Sequence, residues 1–169
     1  MNTLNKSLIS GLAAAVLAGL YSQTAFATDI SGTATANVLA PLAISQTAQM
    51  NFGDVAGDGT IATTVLLSVL GATSSGDGAY TGGTPAAGAF AVTGSGTLAY
   101  NITLPPVAVT LTNAALDTVS VDTFIDSKGG SSALVAGADS FTVGATLNLG
   151  AAQPAGTYNG TYTVTVEYQ

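Results

Sequence analysis

The sequence predicts an all-β protein, a β-sandwich with Greek-key connections, on three observations. Apolar residues recur at every second position in one segment after another. Glycine-bearing turns separate about nine such segments at near-regular spacing, and no window of comparable length supports an amphipathic helix. A repeat of fixed period, which a propeller or solenoid would need, is also missing.

The chain begins with a segment that belongs to transport rather than to the fold. Lys6 precedes an apolar run over residues 8–20, and Ala25-Phe26-Ala27 follows, the three parts of a secretory signal cleaved between Ala27 and Thr28. The alternative is a membrane anchor, but thirteen residues fall short of the roughly 20 that cross a bilayer. The expected mature protein is exported, has no membrane span and keeps 169 − 27 = 142 residues, enough for one domain with its own core. Within it, residues 28–40 read as an N-terminal extension and residues 41–169 as the sandwich.

Along the extension, Ile30, Gly32, Ala34, Ala36 and Val38 alternate with Ser31, Thr33, Thr35 and Asn37, a strand pattern with a small-residue face. Pro41 cannot donate to a ladder, so Leu42 to Ser45 form a separate piece or the far side of a break. Val65, Leu67 and Val69 mark the next strand. The Gly-, Ser- and Thr-rich residues 71–88 read as a flexible surface loop. Phe90 and Val92, then Gly94-Ser95-Gly96, then Leu98, Tyr100, Ile102 and Leu104 have the pattern of a β-hairpin, ended by Pro105-Pro106. Val107, Val109 and Leu111 follow, then Val119, Val121 and Ile125. After a loop over residues 127–137 come Phe141, Val143, Ala145, Leu147 and Leu149. Residues 156–169 close the chain with Tyr158, Tyr162, Val164, Val166 and Tyr168 on one face and Thr161, Thr163, Thr165 and Glu167 on the other. Asn159-Gly160 inside that run is a bulge or a type I′ turn, and the unbroken tyrosine register favours the bulge.

Composition narrows the chemistry. Charged residues are 7% of the chain against about 25% in an average domain, so the surface is polar but mostly uncharged. The mature chain holds Lys128 as its one basic residue against nine acids, 1 − 9 = −8, which disfavours nucleic acid and anionic lipid as partners. With no His, Cys or Trp, and no Arg, the usual nucleophile–base pairs are missing and no cofactor site is expected. A two-carboxylate glycosidase is weighed and set aside, because no acid sits in a motif that would raise its pKa. Asp54, Asp58 and Asp77 faintly suggest calcium-loop material, but the EF-hand spacing and its closing Glu are absent and solvated turn acids are the better reading. No metal site is expected. Asn101 and Asn159 each begin a glycosylation sequon, a pattern common by chance.

Four pieces resemble an exported bacterial family catalogued as domain of unknown function 4402: Phe90 to Gly94, Tyr100 to Pro105, Phe141 to Leu147, and the Gly156 to Tyr168 ending. The ending also looks like the last strand of chaperone–usher pilins. The opening over residues 30–44, with Asn51-Phe52-Gly53-Asp54-Val55, is similar to the start of archaic pilins and spore-coat U-type domains. The disulfide common near the first strand of those domains has no counterpart here.

The pilin resemblance implies an immunoglobulin-like sandwich that lacks one strand and is completed by donor-strand exchange. Ile30, Gly32, Ala34, Ala36 and Val38 would be the donor strand, and Tyr162, Val164, Val166 and Tyr168 the acceptor edge of the next subunit. The chain would then be the structural subunit of an extracellular filament or pilus, a head-to-tail homopolymer at the cell surface serving adhesion or biofilm, handled by a periplasmic chaperone and an outer-membrane usher. Two alternatives stand beside it. Residues 28–38 can fold back as the first strand of their own domain. Or the protein is a monomeric secreted adhesin or carbohydrate-binding module using the 71–88 loop and Tyr80.

Overall fold

Alternating β-branched and aromatic residues can bury one face only by pairing into sheets, and the computed structural model, which describes residues 28–57, 59–76 and 79–169, consists of strands and connections with no helix. The export signal with Ala25 and Ala27, and the turn acids Asp58 and Asp77, lie outside the described residues. The chain divides into two compact units, Met1–Ala36 and Asn37–Gln169. In the first, residues 28–36 carry no strand or bridge and every one is exposed.

The second unit holds all the strands. They are β1 (Ala43–Ala48), β2 (Asp54–Ala56), β3 (Thr63–Leu67), β4 (Thr73–Ser75), β5 (Tyr80–Gly82) and β6 (Gly88–Thr93), then β7 (Ala99–Thr103), β8 (Val109–Thr112), β9 (Thr118–Asp126), β10 (Ser131–Ala133), β11 (Ala138–Leu149) and β12 (Thr165–Tyr168). Every pairing is antiparallel. The main sheet is built on β11. Val143 pairs with both Gly88 and Asp126, and Leu147 with both Val65 and Val121, so β9 runs along one edge while β6 and then β3 share the other. Outside these lie β1 on β6, β4 on β3 and β8 on β9. A smaller sheet has the order β10-β7-β12, and β2 pairs with β5.

Buried side chains form two clusters, and their covering differs. One joins Phe90, Val92, Phe141 and Val143 of the main sheet to Tyr100 and Ile102 of the small sheet, with Val164, Val166 and Tyr168 packed against it. The other is the opposite half of the main sheet, with Val65, Leu67, Val119, Val121, Leu147 and Leu149 among its members. No strand of the small sheet lies on that second cluster. Phe52 belongs to it, and Met50, Val55 and Tyr158 border it instead.

Three expectations are corrected here. The run around Gly94-Ser95-Gly96 is not a hairpin, because β6 and β7 belong to different sheets. Instead the glycine turn bonds to the β10–β11 connection, Gly94 donating to the Gly137 carbonyl at 2.9 Å and Gly137 to that of Gly96 at 2.7 Å. Two crossings between sheets thus run side by side. The stretch 71–88, read as a flexible loop, contains β4 and β5 with Ala79 buried between them. Ile125, expected inward, is 42% exposed. Its phase is reversed by a bulge in β9, where Thr123 and Phe124 together face Ala145 and Thr123 takes a φ of 50°.

Candidate functional site

The uncovered cluster is the floor of a groove of about 1280 Å³. One wall is the end of β1 and the segment after it, Gln46 and residues 49–57. The other wall is the descent toward β12, residues 152–162. Between them the floor is apolar: Phe52, Phe90, Val119, Val121, Leu147 and Leu149. The volume exceeds the roughly 300–1,000 Å³ of small-molecule sites, and no group of three or more metal-ligating side chains occurs among the described residues.

The β9 bulge shapes this floor. Left-handed backbone is costly for a β-branched residue, and here it turns Phe124 inward, where its ring stacks on Tyr162 with centroids 5.3 Å apart. Tyr162 also meets Phe90 edge-on at 6.2 Å, and Phe90 stacks on Phe141 at 5.4 Å. The Tyr162 hydroxyl is buried without a partner, and burial pushes its pKa up to about 12. It sits directly on Gly88, where a β-carbon would overlap it.

The wall beside Tyr162 is where the last segment departs most from expectation. A strand was expected over residues 156–169, yet the ladder forms only at β12, Thr165 to Tyr168 against Tyr100 to Thr103. Upstream, Asn159 bridges Thr112 at the edge of β8, so the segment passes from one sheet to the other. Gly160 has no positive φ, which excludes a type I′ turn, and the chain leaves the ladder there instead of bulging within it. Residues 160–164 belong to no ladder or bridge among the described residues, although burial still alternates from Tyr162 to Tyr168. The reason lies opposite. β7 ends at Thr103, and Pro105-Pro106 beyond it has no N–H to offer. The wall's start is better secured: Gln153 donates to the Tyr158 hydroxyl at 2.8 Å, which donates to the Pro154 carbonyl at 2.7 Å.

The expected acceptor residues therefore divide. All four pack against the covered cluster, and Tyr162 alone of them also lines the groove. Tyr168 does more than pack. Its hydroxyl accepts from the Ser95 N–H at 2.7 Å and donates to the Ala40 carbonyl at 3.0 Å, while the Ala40 N–H donates to Ser95 Oγ at 2.8 Å. Nothing in the period-two pattern points to that ring of bonds. Among the expected donor residues, Ile30 is 94% and Val38 90% exposed, and Gly32, Ala34 and Ala36 are exposed too. Thr28, at the expected cleavage point, is likewise exposed. Tyr80, the expected contact of a binding loop, is exposed on β5.

The densest polar cluster lies elsewhere, on the covered half. Asp139 accepts from Tyr100 at 2.9 Å, Ser132 at 2.6 Å, Lys128 at 2.9 Å and the Ser140 N–H at 2.8 Å. Burial opposes its charge, but the bonds from Ser132, Lys128 and Ser140 outweigh burial and hold the carboxyl well below the usual range. Burial, then the bond to Asp139, pushes the Tyr100 hydroxyl up to about 12. A carboxylate held so firmly ionised, tied to the one lysine of the described residues, ties β7, β10 and β11 together and is poorly suited to proton transfer.

A family model described as domain of unknown function (DUF4402) matches residues 42–168. Neither the curated proteins nor the solved structures include a match to this chain.

Proposed function

Starting from a chain that belongs to the DUF4402 family over all twelve of its described strands, we propose that it is the structural subunit of an extracellular filament. In this reading the leader of one copy, residues 28–38, inserts as a strand into the groove of the next. The sandwich would then be immunoglobulin-like with Greek-key connections, lacking one strand, in the manner of pilins. The observation that carries the reading is the groove itself: a strip of core with no strand of the small sheet above it, bordered by residues 160–162, whose backbone joins no ladder among the described residues. Such an edge is a template for another chain.

The leader suits the vacancy in length and in character. Groove-wall residues 156–162 would span about 23 Å if extended, and eleven leader residues reach about 36 Å. Burying Ile30 and Val38 contributes roughly 3–6 kcal/mol together. Backbone pairing, at roughly 0.5–1.5 kcal/mol net per bond, adds the rest. Gly32, Ala34 and Ala36 are small, as a floor already filled by Phe124 and Tyr162 requires. Head-to-tail insertion does not close on itself and so builds fibres. Export, display at the cell surface, and handling by a periplasmic chaperone and outer-membrane usher belong to the same reading.

Negative-stain microscopy of the concentrated mature chain tests it. Fibres are expected from residues 28–169, and none from a chain beginning at Leu39 that still folds. Fibres from both chains would overturn the reading, as would a mature chain that remains monomeric at every concentration.

A further inference from the structure

The layer opposite the main sheet is in two pieces. β11 supplies Phe141 and Val143 to the covered cluster and Leu147 and Leu149 to the other, all at odd positions and so on one face of the strand. Against that face lie both smaller sheets. Tyr100 and Ile102 of β7 and Val166 of β12 pack on the covered cluster, while Val55 of β2 packs on the uncovered one. The groove runs between them. β2 lines it and its partner β5 does not, so the edge of β2 that has no partner strand is the one turned to the groove. On the other wall residues 160–162 line it, whereas β12 and β7 do not. Two backbones without ladders on their groove side thus border one apolar floor.

Resting on the filament reading, we infer that the inserted leader pairs along both of its edges, with β2 on one side and residues 160–164 on the other, and so joins β5-β2 and β12-β7-β10 into one continuous layer. The leader of a second copy is then a central strand, and its sequence fits one. A strand bonded on both edges uses every N–H, which excludes proline from its interior. Residues 28–40 hold none, and Pro41 is the first proline of the sequence. A layer with one face on the core and the other in water asks for alternation. The leader supplies it, with Gly32, Ala34 and Ala36 between Ser31, Thr33 and Thr35. Pairing on two edges also doubles the backbone bonds open to a segment whose inward side chains are mostly small, so that the joint depends on main chain more than on burial.

Amide exchange in the full mature chain, measured below and above the concentration at which fibres form, tests the pairing. Exchange is expected to slow roughly tenfold or more in the fibre, both within residues 160–164 and at those amides of Asp54–Ala56 that β5 leaves free. Slowing at residues 160–164 with none in Asp54–Ala56 would overturn the proposal and leave the filament reading standing. A second measurement uses the leader, where residues 28–36 carry no strand or bridge, so that proline there leaves the sandwich intact. Neighbouring residues of a strand point their N–H groups to opposite sides, so Thr33→Pro and Ala34→Pro each remove a bond to a different wall. Both are expected to lower fibre yield severalfold. Wild-type yield from either would overturn pairing on two edges, since a strand bonded on one side tolerates proline at alternate positions. Failure of the filament reading looks different: the wild type itself gives no fibres, or gives fibres in which neither wall is slowed.

Discussion

The two halves of the main sheet are made of the same kinds of residue and end in different states. Around Phe141 and Val143 the small sheet supplies Tyr100 and Ile102 as a lid, and the Asp139 network ties the layers together. Around Val121 and Leu147 the same sheet continues, equally apolar, under a groove. The difference comes from connections rather than from hydrophobicity. Pro105-Pro106 stops β7 short, and the descent from β11 crosses to the small sheet late, so that β12 covers only one half.

The comparison breaks most readily in the covered half. Phe141→Ala should cost about 3–5 kcal/mol, since its ring stacks on Phe90 inside a closed cluster. Leu149→Ala, on the groove floor, should cost about 2 kcal/mol, the lower end for such truncations, because water or a shifted wall can take up the space. Urea denaturation of the two variants measures the gap. Equal losses would mean that the groove is as tightly packed as the covered cluster.

Asp139→Asn should cost about 1–3 kcal/mol by unpairing Lys128 and weakening the bonds from Tyr100 and Ser132. Because the folded carboxyl titrates below its unfolded value, its contribution is fully present above about pH 4 and is lost as pH falls through the folded value. Acid denaturation of the variant should therefore be flatter than that of the wild type over that range. The tyrosines give the opposite sign. Tyr100 and Tyr162, both near 12, resist ionising in the folded state, so stability is unaffected by them below about pH 10 and falls as pH rises toward 12. An alkaline spectrophotometric titration should show a late phase of two tyrosines, reduced to one in Tyr162→Phe. Smallest of all, Tyr162→Phe should be neutral or slightly stabilising, because it removes a buried hydroxyl that has no partner.

Much of this was legible in the chain. Period-two patterning marked Phe90, Tyr100, Phe141 and the final tyrosine face as core, and they are buried or half-buried. Strand identity is a local property, whereas partnership is not. The Gly94-Ser95-Gly96 turn reads as a hairpin because a turn between two alternating runs looks the same whether the second run pairs or crosses over. Phe124 could not be placed inward by counting, since a bulge at Thr123 shifts the phase. The leader's alternation was plain, but the bonds from Ser95 and Tyr168 to Ala40 join positions 55 and 128 residues apart and leave no mark on spacing.

The central claim is that a second copy's leader occupies the groove, and a cross-link tests it most directly. The described residues contain no cysteine, so Ala34→Cys in one preparation and Thr161→Cys on the groove wall in another can be mixed and oxidised without a competing thiol. The account predicts disulfide-joined dimers containing one chain of each kind, forming as fibres form. Fibres that assemble with no such dimers, or a double variant that closes its bridge within a single chain at high dilution as readily as at high concentration, would contradict it.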